Sequence, residues 1–179
     1  MNMKLLPLFV FIISTTVHAE RADRDKPINL DADKITVDDA RKVHAFEGNV
    51  QFTQGTLVIK ADKIIVTQDA NGNQAGVATG GSGGLARFRQ KREGRDDYIE
   101  GEADRIENDS KTDKSELFGH AKIRSGLNEV RGEYISYDGR TENYVVTNGP
   151  GGTVAQGPKA GRVHAVIQPK NKDGAKPAQ

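Results

Sequence analysis

The residues of this chain that could do chemistry recur as a short phrase. Ala-Asp-Lys-Ile stands at 32–35 and again at 61–64, with looser copies at Ala103-Asp104-Arg105-Ile106 and Gly132-Glu133-Tyr134-Ile135. A carboxylate beside a cation can serve metal binding or general acid–base work, and a pair of carboxylates at fixed separation can cleave a glycosidic bond. Four equivalent copies along one chain fit neither, because a single site has no use for them. Asp33, Asp62, Asp104 and Glu133 therefore read as four structural corners. At such a corner a carboxylate can accept hydrogen bonds from backbone amides that a bent sheet leaves unpaired.

Other chemistry is poorly supported. The stretch DADKITVDD is acidic enough for calcium, but an EF-hand loop starting at Asp31 would place Ile35 and Thr36 where an oxygen ligand and a glycine are needed. His44, His120 and His164 stand apart, without the paired spacing of a zinc site. The glycine run Gly80–Gly84 spells GxSxG only as a string, since no helical period follows it to make a nucleophile elbow, and no phosphate-cradling GxxxxGK[ST] loop occurs. The chain is therefore not expected to be an enzyme, and no cofactor or metal is implied.

The elements that position these residues begin after the N-terminus. Lys4 followed by the apolar run Leu5–Ile13 and by Val17-His18-Ala19 reads as a cleaved signal peptide over 1–19. No cysteine follows for a lipid anchor or a disulfide. Without Lys4 the basic and acidic residues balance, which disfavours nucleic acid as a partner. The remaining chain suits one domain over 20–168, with a polar Lys/Pro-rich tail at 169–179 expected to be disordered.

Period-two alternation dominates that domain: Ile28/Leu30, Val50/Phe52, Leu57/Ile59 and Ile64/Val66. Short alternating runs between turn signals indicate antiparallel strands in an all-β sandwich, barrel or jelly roll. DANG at 69–72 and YDGR at 137–140 are turn signals, the latter expected to use Gly139 at positive φ. GGSGG at 80–84 reads as a loop or a kinked strand, and Arg162–Gln168 as the last strand. A shift of 71 residues superposes the first Ala-Asp-Lys-Ile on its third copy, and also Gly48 on Gly119, Gly55 on Gly126 and Ile64 on Ile135. The chain is thus an internal duplication.

At each copy the apolar phase slips by one residue. Leu30 and Ala32 face one way, yet Ile35 and Val37 follow out of step. A strand that slips turns inside out unless a bulge restores its facing and bends it. Four strands bent at equivalent points stack into a curved, elongated double sheet. Its inner face is expected to carry Ile28, Ile35, Val50, Phe52, Leu57, Ile59, Ile64 and Phe88, with Arg87 and Arg89 outside.

These residues also resemble a known family, the OstA-like periplasmic bridge proteins of lipopolysaccharide transport. The likeness rests on Lys26-Pro27-Ile28-Asn29-Leu30, Phe46-Glu47-Gly48-Asn49-Val50, Thr53-Gln54-Gly55-Thr56, Ala61–Thr67, Ala86-Arg87-Phe88 and Gly132–Tyr137. The resemblance implies a periplasmic, open, antiparallel β-jelly roll whose interior takes the acyl chains of lipopolysaccharide, with Ile28 and Phe88 the strongest candidates for contact. It also implies edge-to-edge partners. The edge at Ile28 and Leu30 would meet an inner-membrane-anchored protein. The edge at Val163, Ala165 and Ile167 would meet the outer-membrane translocon, and copies would join head to tail. The residues alone leave open a structural or adhesive β-repeat module that binds protein or glycan.

Overall fold

The computed structural model describes Asp23 and residues 26–92, 94–141, 143–157 and 161–169. The expected signal peptide, and the tail beyond Pro169, lie outside the described residues.

Alternation becomes strand throughout. The strands are β1 (Ile28–Asp31), β2 (Lys34–Asp38), β3 (Val43–Gln54), β4 (Leu57–Gln68), β5 (Gln74–Thr79), β6 (Ala86–Lys91), β7 (Tyr98–Ala103), β8 (Arg105–Asp109), β9 (Lys114–Ser125), β10 (Asn128–Asp138), β11 (Asn143–Thr147) and β12 (His164–Val166). All pairings among them are antiparallel. The duplication is exact in its main elements, since β2, β3 and the start of β4 recur 71 residues later as β8, β9 and the start of β10.

The long strands β3, β4, β9 and β10 each take part in two leaves. Residues 63–68 of β4 pair with β5, whereas residues 58–60 pair with β6. Likewise β9 pairs with β8 through 114–118 and with β7 through 122–125. One hydrogen-bonded sheet is thereby folded lengthwise. The first leaf runs β2–β3–β4–β5–β8–β9–β10–β11, and the second runs β1–β3–β4–β6–β7–β9–β10–β12.

The fold line lies where the sequence slips phase. Opposite Asp62 of β4, β3 carries two residues, Gly48 and Asn49; opposite Glu133 of β10, β9 carries Gly119 and His120. All four have positive φ, between 44° and 81°. The surplus residue thus sits on the neighbouring strand, whereas the alternation had placed it within the slipping strand itself. The chain break between β1 and β2 falls at Ala32-Asp33, and that between β7 and β8 at Asp104, in line with these bulges.

Residue size follows distance from the fold line. Beside it, where the leaves converge, the register pairs Val50 with Ala61, Ala86 with Ala103, and Ala121 with Gly132. One step out, the first leaf carries an unbroken apolar row across eight strands: Ile35, Phe46, Ile64, Ala78, Ile106, Leu117, Ile135 and Val146. The second leaf carries its counterpart: Leu30, Phe52, Ile59, Phe88, Gly101, Ile123, Val130 and Ala165. At about 4.8 Å per strand, each row is roughly 34 Å long. Leu117, Ile123 and Ile135 close the interior of the second repeat, while Phe52, Leu57, Ile59 and Val66 of the first remain half-buried.

Local signals held with two refinements. The glycine run becomes a short 3-10 turn at Ser82–Gly84 between β5 and β6. The turn after β10 does not use positive φ at Gly139. There Asp138 Oδ1 accepts the backbone N–H groups of Arg140 and Thr141 at 2.9 and 3.1 Å, so an Asx turn does the reversal.

Candidate functional site

Between the leaves lies a cavity of about 550 Å³. Six of the eight inner-face residues read from sequence line it: Ile28, Phe52, Leu57, Ile59, Ile64 and Phe88. Val50 points inward at the fold line and is buried below the cavity, 2 % exposed. Ile35 belongs to the apolar row by register, but β2 is an edge strand, and the side chain stands 54 % exposed outside the cavity. Val66, Ile106 and Tyr137 also line the cavity and went unread. Val66 follows Ile64 by alternation, and the 71-residue offset maps Ile35 onto Ile106 and Val66 onto Tyr137, so alternation and the repeat together held that signal.

Phe88 is held by an absence. It pairs with Gly101 of β7, and its ring occupies the place where a Cβ at 101 would stand. A glycine opposite an aromatic ring in a strand is covered by that ring. Phe88 thereby spans two strands of the cavity floor.

The next inward-facing rows are mixed but uncharged. In the first leaf the row reads Val37, His44, Val66, Gly76, Asn108, Ser115, Tyr137 and Tyr144. In the second it includes Ile28, Gln54 and Leu57 in the first repeat, then Gln90, Ile99, Ser125 and Asn128. Apart from His44, no ionisable side chain other than the two tyrosines occurs in these inward-facing rows. In a chain that is 28 % charged, the strand-borne acids and bases have been sorted onto the outside.

There they form cross-strand ladders. On the second leaf Glu102 pairs with Arg87 and Lys122 at 3.0 and 2.5 Å, and Glu100 pairs with Arg89 at 3.4 Å and with Arg124. The Lys122 ammonium, followed by Arg87, holds the Glu102 carboxyl below its usual range despite partial burial. On the first leaf Lys63 and Lys34 flank Glu47 at 2.8 and 2.9 Å and draw its carboxyl down to about 2. Arg87 and Arg89 thus face away from Phe88, as the alternation required.

The corner carboxylates pack against glycines. Asp33 fills the Cβ position of Gly48, Asp104 that of Gly119 and Asp62 that of Gly80. Asp33 and Asp104 engage not the backbone amides that were expected but the side chain of the second residue of a bulge. Asn49 Nδ2 donates to Asp33 at 3.2 Å, and His120 Nδ1 lies 3.0 Å from both Asp104 oxygens. The Asp104 carboxylate raises the His120 pKa above its ordinary value. Asp33, Asp62, Asp104 and Glu133 do not converge. Among the described residues, no group of three or more His, Asp or Glu could hold a metal ion.

The two ends of the stack expose apolar side chains. Ile28, Ile35 and Val37 project at the β1/β2 end; Tyr144, Val145, Val163, Val166 and Ile167 project at the β11/β12 end. Leu30 is half-buried in β1, Ala165 is paired with Val130, and Val163 and Ile167 flank the three-residue β12. The last strand is therefore shorter than Arg162–Gln168.

Comparisons with known proteins agree with this geometry. A family sequence profile described as "LptA/(LptD N-terminal domain) LPS transport protein" matches residues 29–143. The chain is 30 % identical over 166 residues to the lipopolysaccharide export system protein LptA of Escherichia coli K12, covering 93 % of this chain and 86 % of that one. It is 30 % identical over 152 residues to LptH of Pseudomonas aeruginosa, covering 84 % of each. The crystal structure of LptH, titled the LptA-homologous periplasmic component of the lipopolysaccharide transport device of that organism, superposes with a TM-score of 0.71 at 28 % identity, over 82 % of this chain and 99 % of that one. A folded antiparallel sheet with an apolar interior, matched in sequence and structure over most of its length, places this chain in the LptA/LptD N-terminal domain family of lipopolysaccharide transport proteins.

Proposed function

We propose that this chain is a periplasmic carrier that bridges the inner and outer membranes for lipopolysaccharide, sheltering the acyl chains between its two leaves. The observation that carries this reading is the sorting of side chains: two apolar rows run end to end between the leaves, the space between them opens into a cavity beside the half-buried residues of the first repeat, and the charges of the strands lie outside. Exposing an acyl chain of about ten carbons to water costs on the order of 8 kcal/mol, at ~0.8 kcal/mol per CH₂. Moving that chain from a bilayer into an apolar groove is close to neutral. The groove removes the barrier of the aqueous crossing and supplies no direction, so the drive comes from outside this chain.

Ile28, Phe52, Leu57, Ile59, Ile64 and Phe88 make the lipid contact in this reading, with Val66, Ile106 and Tyr137 continuing the surface. Val50 supports the floor and Ile35 extends the row to the chain's edge. Edge strands with unpaired backbone groups recruit a further strand. The β1/β2 end, with Ile28, Leu30 and Ile35, accepts an inner-membrane-anchored partner, and the β11/β12 end, with Val163, Ala165 and Ile167, accepts the outer-membrane translocon. The same two ends joined to one another give a head-to-tail self-oligomer, a heterologous contact that propagates without closing. Exposed apolar residues concentrated at these ends support this assembly.

Depleting the protein from cells and following newly made lipopolysaccharide tests the carrier function. Accumulation at the inner membrane is expected. Undiminished delivery to the cell surface would overturn the reading.

A further inference from the structure

The groove is built to hold an amphiphile, and its rim says which part of the headgroup it can hold. Just outward of the apolar rows, side chains from both leaves line the cavity as amides and hydroxyls: Gln54 and Gln90 on one leaf, Gln74, Asn108 and Ser115 on the other. An amide carries both donor and acceptor groups, which suits hydroxyl and amide groups of a neutral sugar. Here Gln54 already donates to the Lys26 carbonyl at 3.2 Å and Asn108 to the Ser115 hydroxyl at 3.1 Å, so these two meet a ligand through their carbonyl oxygens. Recognition of phosphate calls instead for Arg, Lys or converging backbone N–H groups. The cavity lining contains one cation, Lys26, against two carboxylates, Asp23 and Asp113. The strand-borne arginines and lysines of this region point outward, where glutamates engage most of them.

We propose that the groove recognises its lipid by the acyl chains and by the uncharged, hydroxyl- and amide-bearing part of the headgroup, and that phosphate makes no contribution to binding. The ligand class is a neutral acylated sugar, whatever charge it carries elsewhere. This rests on the carrier reading above and narrows it. The amide rim tolerates lipids whose phosphates have been removed or masked, so such lipids travel by the same groove.

The test compares lipid A carrying both phosphates with the same lipid stripped of both, bound to the full mature chain at low and at high salt. Affinities equal within about two-fold, with little salt dependence, are expected, because a site without charge pairing is not screened. A gain-of-charge variant then locates the rim. Gln90→Lys, and on the opposite leaf Gln74→Lys, should each acquire a several-fold preference for the phosphorylated lipid that high salt abolishes. A loss of ten-fold or more on dephosphorylation of the ligand, or a steep fall with salt in the unaltered protein, would overturn the proposal. If neither lysine variant acquires a preference, the headgroup does not sit at this rim and the proposal fails. Binding of neither lipid form would overturn the carrier reading, and this inference with it.

Discussion

Gly101 and Phe88 give the sharpest case of one residue defining another. A side chain at 101 would take the space of the Phe88 ring on the cavity floor. Gly101→Val is expected to destabilise the fold by about 1–3 kcal/mol, as overpacked cores do, and to weaken lipid binding as the ring is displaced. Urea unfolding of that variant, of Phe88→Ala and of the double variant measures the coupling: the double should be less destabilised than the sum of the singles. The corners give a second case. At equivalent places the first repeat bonds Asp33 to Asn49, and the second bonds Asp104 to His120, with Glu133 adding to the negative field around the imidazole. Because Asp104 raises the folded pKa of His120, this contact's stability is fully present below the ordinary value of 6.5 and is lost as pH rises through the raised one. His120→Asn, which copies the first repeat, should flatten the pH dependence of stability over that interval. An unchanged slope in thermal melts across the same pH range would refute the assignment.

At the scale of elements, the fold depends on two-residue bulges that let long strands cross from one leaf to the other. Gly48 and Gly119 have φ of 81° and 71° and carry an aspartate where a Cβ would stand. Gly48→Ala and Gly119→Ala should each cost on the order of 1–3 kcal/mol, the usual scale for forcing a side chain into a strained backbone region. Gly76→Ala is the control, since Gly76 has an ordinary φ and open space around its Cβ position; its melting behaviour should be nearly unchanged. The strands themselves were legible from alternation, and the bend from the phase slip at Ala-Asp-Lys-Ile. The strand that carries the surplus residue was not. Gly48-Asn49 and Gly119-His120 look like turn residues in one dimension, and only the pairing of Glu47 with Lys63 and Val50 with Ala61 reveals two residues facing one. Ile35 illustrates a related limit. Its facing was readable, but its exposure follows from β2 having a neighbour on one side only, which is a property of topology. Val66 was legible by alternation from Ile64, and Ile106 and Tyr137 through the 71-residue repeat, whose second copy carries the apolar pattern more loosely than the first.

For the whole molecule, the two ends should govern assembly and the interior should govern cargo. Ile35→Asp at one end and Ile167→Asp at the other place charge on exposed apolar positions and leave the buried interior intact. Each should shift the self-association measured by sedimentation velocity toward monomer, with unfolding midpoints within ~0.5 kcal/mol of the unaltered chain. Concentration-dependent oligomers that persist in both variants would place the contact elsewhere. The separation of apolar interior from charged exterior is the property on which lipid carriage depends, and neighbouring residues on one strand sample both sides. Ile59 lines the cavity, while Lys60, next to it on β4, faces outward on the second leaf. A photo-crosslinking amino acid placed at each of these positions in living cells is the most direct measurement. Lipopolysaccharide adducts at Ile59 and their absence at Lys60 are expected; equal or stronger adducts at Lys60 would contradict carriage within the groove.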